Sequence, residues 1–147
     1  MTTFLRSRPF GALLTAAIVG LTLATAYIHL TLGGLIFTLN GLGYVGLAAL
    51  MVIGAAAPHQ LIERFSWFPR VGLAGYAVLT ISAYLVMGPF FTLGWIAKGI
   101  EAAIIALVTV DVFRVYGSPM GLIRSALASV APILPGRLGR FGPTAAA

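Results

Sequence analysis

Residues 9–62 contain no Asp, Glu, Lys or Arg. An uncharged run of that length exceeds one membrane span of about 20 residues and fits two joined by a tight turn. A second apolar block, residues 71–116, is interrupted once by Gly88-Pro89 and carries only Lys98, Glu101, Asp111 and Arg114. These two blocks predict an all-α integral membrane protein with nearly all of its length in or at a bilayer.

Composition agrees. Of 147 residues, 60% are hydrophobic and 8% are charged, against about 25% charged in an ordinary soluble domain. So few charges cannot coat a water-facing surface. The absence of Cys excludes disulfides, thiolate chemistry and Cys-ligated zinc. The net charge of +6 is not a nucleic-acid signal, because the arginines fall at the ends of the expected spans, where topology and anionic headgroups account for them. The partner expected from composition is the lipid bilayer, with a homo-oligomer or a larger membrane complex beyond it.

The pattern predicts a four-helix bundle with spans over residues 10–39, 44–57, 71–87 and 94–116. Asn40-Gly41-Leu42-Gly43 reads as the first turn, since these residues tolerate left-handed backbone. Pro58, Gly88-Pro89 and Gly117-Ser118-Pro119 are helix stops. With four spans, Arg6 and Arg8, then Glu63, Arg64 and Arg70, then Arg114, Arg124, Arg137 and Arg140 all lie on one side. The turns on the other side carry no charge. The positive-inside rule makes the arginine side cytoplasmic, with both termini there, in the plasma (inner) membrane. Trp67 and Phe68 on one side and Trp95 on the other fit interfacial anchoring.

Two features flank this core. Arg6, Arg8 and the Ala24-Thr25-Ala26 triplet resemble a signal peptide, but the apolar run continues past Ala26 and favours an uncleaved span. Beyond residue 117, Met120, Leu122, Ile123, Leu127 and Val130 with Arg124 predict a short amphipathic helix on the cytoplasmic leaflet. The Pro- and Gly-rich end that follows reads as a flexible tail.

Polar residues inside the spans locate a candidate site. Thr15, Thr22, Thr25, His29 and Gly33 share one stripe of the first helix. Tyr76, Thr80 and Tyr84 share one of the third, and Lys98 and Glu101 one face of the fourth. His29, Tyr84, Lys98 and Glu101 fall at similar depth and are expected to form an intramembrane polar site. Such residues face other helices or a cavity. Gly33, Gly34, Gly43, Gly46, Gly72 and Gly75 are expected to permit close helix approach. A second group, Glu63, Arg64, Arg70, Asp111 and Arg114, is expected as a cytoplasmic ion-pair cluster.

No catalytic constellation emerges. Ser66, Ser82, Ser118 and Ser125 have no His–carboxylate partners in plausible reach, and the His and carboxylates are too scattered for a metal. The leading expectation is a non-catalytic accessory or scaffold subunit. One alternative is a proton-coupled or small-molecule carrier using His29, Tyr84 and Glu101. Another is a haem or pigment subunit using His29 as a ligand. His59 lies across the membrane from His29, so the two cannot clamp one haem within a chain. The identity of any cofactor stays open.

Overall fold

The computed structural model describes residues 7–57 and 59–131. The expected flexible tail, together with Arg6, Arg137, Arg140 and Pro58, lies outside the described residues. Six helices follow in order: α1 (Arg8–Thr31), α2 (Leu35–Ala56), α3 (Gln60–Arg64), α4 (Trp67–Met87), α5 (Thr92–Tyr116) and α6 (Pro119–Val130). No strand occurs among the described residues.

Four long helices form the body. They hold 24, 22, 21 and 25 residues, or about 32–38 Å each at 1.5 Å per residue. A bilayer's hydrocarbon core is about 30 Å thick. By length and composition α1, α2 and α4 can each cross a membrane. α1 packs on α2 and α5, and α4 packs on α5 and less extensively on α2. α1 therefore lies between α2 and α5, and α4 closes the square from the far side.

The surface of this bundle is inverted relative to a water-soluble one. Ile36 and Val86 are 81% and 82% exposed, and Leu13, Leu35 and Met87 are similarly bare. Thr22, Thr25, His29, Lys98, Glu101 and Asp111 are buried with Ile18, Tyr44, Leu73, Ile104 and Val108. Apolar groups outside and paired polar groups inside suit a hydrocarbon solvent.

The first turn is not where the sequence pattern places it. α1 ends at Thr31, and Gly33 and Gly34 have φ of 72° and 84°. Two successive left-handed residues need glycine. Asn40, Gly41, Leu42 and Gly43 lie inside α2 instead. Gly41 is there for packing: a Cβ on it would sit 2.7 Å from Leu30 and 3.0 Å from the Ala26 carbonyl. A Cβ on Gly43 would strike the Tyr76 hydroxyl, and one on Gly72 would meet Leu47 at 2.8 Å. Gly33 and Gly34 thus make the turn rather than a helix contact, and Gly46 and Gly75 face open space.

The other boundaries fall close to expectation. α4 starts at Trp67, earlier than residue 71, because Pro69 sits in its first turn, where the missing N–H has no helical partner to lose. α5 stops at Gly117, which takes the left-handed cap at φ 75°. α6 begins with Ser118 capping the Gly121 N–H at 3.0 Å. It docks through Ser129, whose carbonyl accepts from Arg64 and whose hydroxyl accepts from Trp67 Nε1 at 2.9 Å. Met120, Ile123 and Leu127 remain exposed on its outer face.

Candidate functional site

Glu101 has no solvent exposure, so its carboxylate must be compensated by protein groups. Lys98, three residues earlier on α5, donates to Oε2 at 2.5 Å. Thr80 on α4 donates to the same oxygen at 2.8 Å. Thr25 on α1 donates to Oε1 at 3.3 Å, and His29 Nε2 lies 3.7 Å from Oε1. Tyr44 on α2 shares a 2.8 Å hydrogen bond with the Thr80 hydroxyl. One carboxylate thereby ties together all four long helices.

Local helix geometry sets up each partner. Thr22, Thr25 and His29 recur at three and four residues, which keeps them on the inward stripe of α1. His29 Nδ1 donates to the Thr25 carbonyl at 2.8 Å. With that nitrogen donating, Nε2 offers a proton to Glu101 only in the imidazolium form. The ring also packs beside Tyr44 at 5.7 Å and Phe37 at 6.4 Å. Tyr76 meets Tyr44 edge-on at 4.8 Å and donates to the Asn40 carbonyl at 3.3 Å.

This network forms the floor of a cavity of about 490 Å³. His29, Thr80, Lys98 and Tyr76 reach it from below, and its walls include Leu79, Ala83 and Phe91. Ile36 and Met87, both exposed, stand on its rim. Asn40 also lines it, and its side-chain oxygen is buried with no hydrogen-bond partner. A concave, mostly apolar space with a few converging polar groups has the size and character of a small-molecule site.

The expected residues are not all used as anticipated. His29, Lys98 and Glu101 come together. Tyr84 does not reach the carboxylate. Its hydroxyl donates to the Phe91 carbonyl at 3.2 Å and accepts from the Phe91 N–H at 3.1 Å. Tyr84 pins the α4–α5 turn, with Phe90 and Trp95 packed on its ring. It meets the polar site through Lys98, whose ammonium lies 5.7 Å from the ring centre, and it lines the same cavity. Tyr44, placed at a helix start by the sequence pattern, sits nine residues into α2 and is fully buried. Helix length carried a usable signal. A span over residues 44–57 would be only about 21 Å long, too short for a bilayer core of about 30 Å.

His29 Nδ1 is taken by the Thr25 carbonyl, while Nε2 lies 3.7 Å from Glu101 Oε1, beyond hydrogen-bond distance. His59 is at the other end of the bundle, exposed, and caps α3 by accepting from the Leu61 N–H at 3.3 Å. Among the described residues no three His, Cys, Asp or Glu side chains converge as a metal site.

The second expected cluster forms in part. Asp111 is fully buried between Arg70, 2.8 Å away through Nε, and Arg114, 2.8 Å away through Nη2. Arg70 also donates to the Ser66 carbonyl at 2.5 Å. Arg64 is taken up by the Ser129 carbonyl instead, and Glu63 is exposed with no ion pair among the described residues.

The fold and its inverted surface define an all-α membrane protein. No known protein family, curated protein or solved structure matches the chain.

Proposed function

We propose that this chain is a four-span, non-enzymatic membrane protein that binds and carries a small, mainly apolar molecule in the cavity above Glu101. The observation carrying this reading is the pairing of an apolar space of about 490 Å³ with the His29–Glu101–Lys98 floor and an unpartnered Asn40 oxygen. Asn40 supplies an acceptor and Lys98 a donor, so the ligand's polar end carries both, as a hydroxyl or an amide does. The α5 helix counts as the fourth span because Lys98, Glu101 and Asp111 are buried and paired within the bundle. Both termini then face the cytoplasm, with the bundle in the inner membrane and α6 along its inner leaflet.

The test is chemical analysis of what the purified protein carries. Organic extracts of wild type and of Ala83→Phe, which fills the cavity, are compared by mass spectrometry. A small apolar compound present with wild type and absent from the variant supports the reading. Identical extracts oppose it.

The accessory-subunit reading keeps one observation of its own. Gly46, Gly75 and Gly99 are exposed on the outer helix faces with open space where a Cβ would stand, which suits close approach by another membrane helix. Gly75→Leu should break a larger assembly if that reading holds, and an unchanged assembly size would remove its support.

A further inference from the structure

A second cavity, of about 590 Å³, lies at the opposite end of the bundle between the start of α1, the end of α2, the start of α4 and the end of α5. Small residues such as Gly11, Ala16, Gly54 and Ala55 leave this space open, and Arg8, Arg70 and Arg114 line it. The three arginines face one carboxylate among the described residues, Asp111, which pairs with Arg70 and Arg114 only. Arg8 is exposed with no ion pair among the described residues. The cavity therefore carries an excess of about two positive charges next to hydrocarbon, where uncompensated charge is costly.

The geometry leaves donors for an anion. Arg114 binds Asp111 through Nε and Nη2, which leaves Nη1 unengaged by it. Arg70 uses Nε and Nη1, which leaves Nη2. Arg114 lies flat against α1: a Cβ on Gly11 would fall 2.6 Å from its Nη1. Gly11 is three residues from Arg8 on the same helix face, so the two guanidinium groups approach one mouth. No acidic residue occupies the first turn of α1 to compete.

We infer that this cavity binds the phosphate headgroup of an anionic phospholipid. A lipid rather than a free anion fits because the walls are small and apolar and reach the outer surface at Ala12, Ala16 and Val52, all exposed. The headgroup takes the guanidinium donors in the forked geometry arginine offers to phosphate, and an acyl chain leaves along the α1–α2 groove. The inference requires a membrane setting and stands independently of the ligand proposed for the cavity above Glu101.

The test is native mass spectrometry of the detergent-purified full chain after delipidation and titration with phosphatidylglycerol or phosphatidylcholine. Wild type should retain phosphatidylglycerol selectively. Arg8→Gln should lower retention about fivefold, the factor expected for one basic residue at an anionic leaflet. Ala12→Trp, which blocks the cavity without altering charge, should lower it as well, and Arg124→Gln on exposed α6 should leave it unchanged. Equal retention of both lipids overturns the inference, as does an Arg124→Gln loss matching that of Arg8→Gln. Full displacement by soluble glycerol 3-phosphate would reassign the cavity to a water-borne anion.

Discussion

The hydroxyl of Tyr44 on α2 lies 2.8 Å from that of Thr80 on α4, and through Thr80 it joins the buried carboxylate of Glu101. That contact brings the fourth helix into a network the other three already share. It also fixes the floor on which the apolar cavity of about 490 Å³ rests.

Glu101→Gln leaves the Lys98 ammonium buried without its counter-charge. Removing one partner of a buried ion pair costs about 3–5 kcal/mol. The double variant Lys98→Met with Glu101→Gln should recover most of that loss. Unfolding of the purified protein in detergent measures both, and equal stability of single and double variants would deny the pairing.

Tyr44→Phe removes one hydrogen bond and leaves the ring in place. The expected loss is about 1 kcal/mol. Combining it with Thr80→Val in a double-mutant cycle should give a coupling energy clearly different from zero. Strict additivity would place Tyr44 outside the network.

Asn40→Leu replaces a buried, unpartnered oxygen with an apolar group of similar size. An unsatisfied buried acceptor costs about 1–3 kcal/mol, so the empty protein should gain about 1 kcal/mol or more in stability. The same change should weaken whatever the cavity carries. A destabilised Asn40→Leu protein would mean that the oxygen is already satisfied.

Gly34→Ala tests the first turn. Gly34 has φ 84° and ψ 152°, a conformation essentially confined to glycine that costs a residue with a Cβ about 1–3 kcal/mol. Unfolding should register a loss of that order. No loss would be expected if the chain turned at Asn40-Gly41 instead.

The extent to which the sequence reveals this molecule varies by residue. Lys98 and Glu101 are legible as a pair because spacing by three puts them on one helix face. Thr22, Thr25 and His29 are legible as an inward stripe for the same reason. Gly88-Pro89 and Gly117 mark helix ends through their own backbone chemistry. The turn at Gly33-Gly34 was obscured because Asn40, Gly41 and Gly43 advertise a turn more strongly, whereas Gly41 and Gly43 serve close packing against Leu30 and Tyr76. That displacement hid Tyr44 by assigning it to a helix start. Tyr84 could not be sorted from Thr80 by periodicity, since both lie on one stripe; only the position of Phe91 decides which reaches Glu101. Neither cavity has a sequence signature, because each arises from where four helices leave space.

The account depends most on α5 crossing the membrane despite four charged residues. Because the chain lacks Cys, single cysteines report its topology cleanly. The most direct measurement is labelling of Ser118→Cys, just past α5, with a membrane-impermeant maleimide in intact cells, with Leu35→Cys, 74% exposed beside the first turn, as the outward control. The account predicts that Leu35→Cys labels at once and Ser118→Cys labels only after permeabilisation. Labelling of Ser118→Cys from outside would contradict it, leaving three spans and no membrane-buried Glu101 floor.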